Sequence, residues 1–263
     1  MKRLKSIEIV FFSLVLIAAI LFVGFFFKFM HWPGAGPMLS ISLGGISILS
    51  VMYTISKRKS KLWVQHILLP AFGTAFALSV LFKIMHWPFA NVLLVVSMTG
   101  ISLTFSESAY RMRKSITAVI PVIFAMTLVL VLFKIMHWPT FDILTFFILF
   151  LTASIPLLVF IRAKQLKQVV PGLSFQMMLV AALTLISALI EFTFVSVRIV
   201  SNQTYSITNF TQVVLSMGII LVIRKTMQTE GLKPKSENDY LLMHCLGSIY
   251  IITLIFHVLE NWN

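Results

Sequence analysis

The sequence predicts an all-α fold, a polytopic membrane helix bundle of about nine transmembrane helices built from repeated helical hairpins. Three observations carry that prediction. The 263 residues are 59% hydrophobic and only 11% charged, with a mean hydropathy of +0.99, more apolar surface than a soluble interior can hide. Apolar runs long enough to cross a bilayer recur from one end of the chain to the other. Finally, one heptapeptide appears three times, as Phe27-Lys28-Phe29-Met30-His31-Trp32-Pro33, Phe82-Lys83-Ile84-Met85-His86-Trp87-Pro88 and Phe133-Lys134-Ile135-Met136-His137-Trp138-Pro139. Each copy closes one apolar run and precedes the next, so each marks the turn of a hairpin.

Taken in order, the first span runs from Ile7 into the first heptapeptide and the second from Pro37 to Ser56. The third runs from Leu62 into the second copy, the fourth from Asn91 to Tyr110, and the fifth from Ser115 into the third copy. The sixth covers Thr140 to Ile161, the seventh Gly172 to Ile199, the eighth Thr208 to Ile223 and the ninth Tyr240 to Leu259. This gives hairpin repeats over 1–61, 62–114 and 115–168, and a degenerate hairpin over 169–225. A polar loop and an unpaired helix fill 226–263. The run from Ile7 to Phe27 is too long for the apolar core of a signal peptide and lacks a cleavage pattern, so it reads as a retained first helix.

The formal charge of +13 does not point to nucleic acid, because the cations are placed by topology. Lys2, Arg3 and Lys5; Lys57, Arg58, Lys59 and Lys61; Arg111, Arg113 and Lys114; Arg162, Lys164 and Lys167; and Arg224, Lys225, Lys233 and Lys235 all fall at every second turn. A positive-inside bias produces that pattern. It implies an N-terminus in the cytoplasm, with the C-terminus and the three heptapeptides on the outer side. The chain is expected to be a bacterial inner-membrane protein, for which that side is the periplasm. Cys245 is the sole cysteine, which excludes an intrachain disulfide.

Spacing relates the hairpins further. Successive motif histidines stand 55 and 51 residues apart, and Gly45-Ile46-Ser47 follows His31 at the same distance as Gly100-Ile101-Ser102 follows His86. The third copy has Leu151-Thr152-Ala153 there. Ser42 with Gly45, and Ser97 with Gly100, lie three apart and predict close helix approach.

Within the heptapeptide, Pro disfavours helix at the residue before it, so each helix is expected to stop near Trp32, Trp87 or Trp138. These tryptophans, with Trp63 and Trp262, fit the aromatic belt and serve as interface anchors. Lys28 and His31, Lys83 and His86, and Lys134 and His137 are three apart and would share a helix face. Two readings of the lysines stay open: snorkelling to the interface, or a polar cluster facing the bundle interior. Glu191, two turns inside the seventh span, is the acid best placed to compensate such a cluster, with Arg198 as the competing partner. His66 and His244 read as interfacial. Adjacent Met and His point about 100° apart on a helix and do not converge on one ion, so no metal is expected; no cofactor is expected either. No nucleophile triad, paired carboxylates or zinc signature suggests an enzyme.

The stretch Phe27 to Ala35 resembles the transmembrane hairpin of the gliding-motility GldL family of Bacteroidota, and the likeness extends to all three hairpins as tandem copies without that family's soluble tail. The resemblance implies a proton-pathway or energy-coupling subunit, with Lys28, Lys83, Lys134 and the motif histidines as its polar path, joined here by Glu191. The family's intramembrane Glu on the second helix is replaced by Ser50, Phe105 and Pro156. The alternative is a non-catalytic scaffold or assembly factor. Expected partners are the lipid bilayer and either a single-span membrane protein or further copies of the chain.

Overall fold

A computed structural model describes residues 2–135, 141–196, 202–228 and 237–260. The described residues form nine α-helices and no strand: α1 Lys2–Phe29, α2 Ala35–Ser56, α3 Leu69–Ile84, α4 Ala90–Arg111, α5 Val119–Ile135, α6 Phe141–Leu166, α7 Pro171–Ser196, α8 Asn202–Gln228 and α9 Glu237–Glu260. A π-turn over Val64–Leu68 leads into α3, and a 3₁₀ turn over Ile116–Ala118 leads into α5. Backbone polar groups in hydrocarbon must be satisfied within the segment, which is why such Val-, Ile- and Phe-rich runs are helical. Seven of these segments are long and apolar enough to span a membrane, among the described residues. The chain is therefore a helical membrane bundle.

Two compact units divide it, Met1–Thr104 with Ile255–Asn263, and Phe105–Leu254. In the first unit α1 packs on α2, and α2 on α3. Its small residues pack as their spacing predicts. A methyl group added at Gly45 would stand 2.8 Å from Ile17 Cδ1, and one at Gly100 would stand 2.3 Å from Phe72 Cδ1. Ile17 and Phe72 each lie fourteen residues before a motif histidine, and Gly45 and Gly100 each lie fourteen after it. At 1.5 Å of rise per residue, both arms reach the same depth from their turn, so a side chain on the first helix meets the missing side chain on the second. Ser42 and Ser97, at equivalent positions, are both fully buried and bond the carbonyls of Leu39 and Leu94.

The π-turn has a local cause. Pro70, near the start of α3, has no N–H to give the carbonyl of His66, and its ring crowds that carbonyl. The turn widens, and the Leu69 N–H bonds the carbonyl of Val64 five residues back. His66 is buried, 3% exposed, and its Nδ1 lies 2.6 Å from the Tyr53 hydroxyl on α2. His66 thus lies near the end of its span yet faces the bundle, where Tyr53 supplies the partner that lets an imidazole leave water.

In the second unit α7 packs on both α6 and α8, and polar ties join the helices. The Ser187 hydroxyl donates to Gln212 Oε1 at 2.5 Å, while Gln212 Nε2 returns a bond to the Ser187 carbonyl at 2.7 Å. The Tyr250 hydroxyl donates to Thr184 Oγ1 at 2.7 Å, and Ser174 Oγ to the Ala163 carbonyl at 2.7 Å. Thr226 donates to Gln176 Oε1. Arg162 forms a two-pronged ion pair with Asp239, Nε to Oδ1 at 2.8 Å and Nη2 to Oδ2 at 3.0 Å.

Candidate functional site: the heptapeptide turn

The first two heptapeptides build the same helix end. The Trp32 N–H bonds the Phe27 carbonyl at 2.8 Å and the His31 N–H bonds the Lys28 carbonyl at 3.2 Å. In the second copy Trp87 bonds Phe82 at 2.8 Å and His86 bonds Lys83 at 3.2 Å. This pairing is the Schellman C-cap. It needs one residue in the left-handed region just past the helix, and His31 at φ 53° and His86 at φ 54° occupy it.

The Phe, Lys, His, Trp and Pro of the repeat follow from that cap. Histidine is one of the few residues other than glycine enriched in the left-handed region. The Phe and Trp are the residues whose side chains meet across the cap. Their rings stand edge to face, with centroids 5.3 Å apart for Phe27 and Trp32 and 5.0 Å for Phe82 and Trp87. Lys28 and Lys83 lie in the last helical turn, where a cation complements the negative end of the helix dipole. Pro33 and Pro88 prevent the helix from resuming. Gly34 then takes φ 97°, and Phe89, its counterpart, φ 66°.

Two sequence expectations are corrected here. The helices end at Phe29 and Ile84, short of Trp32 and Trp87, because the histidine turns left-handed before proline acts. For the same reason His31 and His86 stand beyond their helices and do not continue the helical face that carries Lys28 and Lys83. Both histidines are exposed, as are Trp32 and Trp87 at 48% and 49%; the lysines are half-buried. Ser40, early in α2, contacts Met85 Sδ at 3.8 Å, which puts both turns at one end of the first unit.

Lys134 lies on α5 and Glu191 on α7, but their side chains fall outside the described part. His137, Trp138, Arg198 and Trp262 lie outside the described residues. Among the described residues no group of three or more His, Cys, Asp or Glu could hold a metal ion. Sequence reasoning missed the cap because its usual signature is glycine at the left-handed position. The signal present was an aromatic pair five apart, followed at once by Pro.

The cap yields a direct test. Replacing His31 or His86 by Gly should leave stability unchanged or raise it, while Val should cost about 1–2 kcal/mol, because a β-branched side chain fits the left-handed region poorly. Thermal unfolding of the purified protein in detergent measures both.

Fold and turn together define a polytopic helical membrane protein. The GldL N-terminal domain family matches residues 14–67, a stretch holding most of α1, the first capped turn, α2 and the turn toward α3. No curated protein and no solved structure matches the chain. The chain is thus a membrane protein with a GldL-like region.

Proposed function

We propose that this chain is a multi-pass membrane scaffold of GldL type, in which tandem hairpins present the capped turns at His31 and His86 at the outer surface of a bacterial inner membrane to a single-span partner. The observation that carries this reading is the shared Schellman cap, which accounts for the Phe, Lys, His, Trp and Pro of two copies as turn geometry and leaves the histidine and tryptophan side chains facing outward. Knob-and-glycine packing at equal depth then fixes each of the first two hairpins behind its turn. The basic turns support an orientation with the N-terminus in the cytoplasm.

A second reading, a proton-pathway or energy-coupling subunit, draws on Lys28 and Lys83, which are half-buried in the last turn of their helices. One experiment separates the two. The tagged full chain is recovered from native membranes with whatever protein copurifies, and is also reconstituted in vesicles to measure proton flux. Under the scaffold reading, Trp32→Ala with Trp87→Ala removes the copurifying protein, His31→Gly with His86→Gly retains it, and the vesicles show no flux. Flux abolished by replacing Lys28, Lys83 and Lys134 with Gln would overturn the scaffold reading in favour of the second.

A further inference from the structure

We infer that the turn between α2 and α3 is a binding site for the headgroup of an anionic phospholipid. Lys57, Arg58, Lys59 and Lys61 fall within five residues, all are exposed, and no acid interrupts them. The two spans they join end at Ser56 and begin at Val64, so the four cations lie at the boundary between hydrocarbon and water. Trp63, 52% exposed, lies two residues beyond Lys61, and an indole at that level favours the headgroup region.

The turn is ordered by its own backbone. The Lys57 N–H bonds the Tyr53 carbonyl at 3.0 Å and the Ser60 N–H bonds the Lys57 carbonyl at 2.9 Å, while the Leu62 N–H bonds Ser60 Oγ at 3.2 Å. Below it, the Tyr53–His66 bond ties the end of α2 to the π-turn. The cations are therefore displayed by a fixed loop, which lowers the ordering cost of gripping a phosphate.

The other basic turns differ. Arg111 is paired with Glu107 and Arg113 lies over the Tyr110 ring, 4.6 Å from its centroid. Arg162 is held by Asp239. Among the described residues no carboxylate is paired with any of the four cations of the first turn. Juxtamembrane clusters of this kind attract anionic lipid at close range, and here the attraction is not already spent within the protein.

Native mass spectrometry of the full chain, titrated with phosphatidylglycerol or phosphatidylcholine, tests the site. Wild type should retain phosphatidylglycerol preferentially. K57A/R58A/K59A/K61A should lose about tenfold of that preference, while K57R/K59R/K61R keeps it. A control with the same number of exposed cations removed elsewhere but the first turn intact, K114A/K164A/K167A/K225A, should also keep it. Equal loss in the control would overturn the proposal in favour of net charge. Displacement of the lipid by inorganic phosphate alone would overturn it in favour of a soluble anion. Unchanged thermal unfolding of the quadruple variant shows that a loss is not misfolding.

Discussion

Replacing Gly100 by Ala should destabilise the protein by about 2 kcal/mol, and replacing Gly45 by Ala by under about 1 kcal/mol, although the two glycines are equivalent in the repeat. The difference lies in what each added methyl meets. At Gly100 it would stand 2.3, 2.4 and 2.6 Å from three atoms of the Phe72 ring, a rigid plane that must move as a whole. At Gly45 it would meet Ile17 Cδ1 at 2.8 Å and Cγ1 at 3.1 Å, and an isoleucine tip can change rotamer for a fraction of that cost. Truncating the ring isolates the contact. In a Phe72→Ala background Gly100→Ala should cost little beyond the loss of the ring itself, so the pair is strongly coupled in a double-mutant cycle. Unfolding midpoints in detergent read all three variants. Additive losses would show that Gly100 matters for a reason other than Phe72.

The same pair of glycines shows what the sequence exposes and what it conceals. The spacing from His31 to Gly45 and from His86 to Gly100 is visible in the letters, and so is the expectation of close approach. The third hairpin has Leu151 at the equivalent place, half-buried, so the missing side chain that admits close approach in the first two hairpins is not repeated there. The membrane class was legible for a simple reason: hydropathy is a sum over many residues and survives local error.

Local geometry was less legible. Lys and His three apart read as one helical face only while both are helical, and a single left-handed φ at histidine removes that assumption. Nothing in a one-residue propensity marks that change, because histidine also lives comfortably in helices. His66 shows a related limit. Its partner Tyr53 sits on the preceding helix, and its inward turn depends on a π-turn imposed by Pro70, so neither residue alone signals burial.

The Arg162–Asp239 pair was also hidden, since its members lie 77 residues apart, and it carries the second large prediction. Arg162→Ala should cost about 3 kcal/mol and Asp239→Ala about 2 kcal/mol, below or at the low end of the range for breaking a fully buried pair. The asymmetry follows from exposure. The Asp239 side chain is 5% exposed and that of Arg162 is 24% exposed, so removing the arginine takes the cation from the charge that water reaches least. Removing the aspartate leaves a guanidinium that can hydrate and keeps its Nη1 bond to Gln165 Oε1 at 3.1 Å. Asp239 also occupies the first turn of α9, where a carboxylate complements the helix dipole, a contribution that Asp239→Asn loses while keeping one acceptor for Arg162. That variant should fall between wild type and Asp239→Ala. Replacing both members with apolar residues, Arg162→Met with Asp239→Leu, should cost less than Arg162→Ala alone, because no buried charge is left unpaired. Unfolding of the four variants in one detergent orders them; a larger loss for Asp239→Ala than for Arg162→Ala would mean that the helix terminus, and not the ion pair, holds α9 in place.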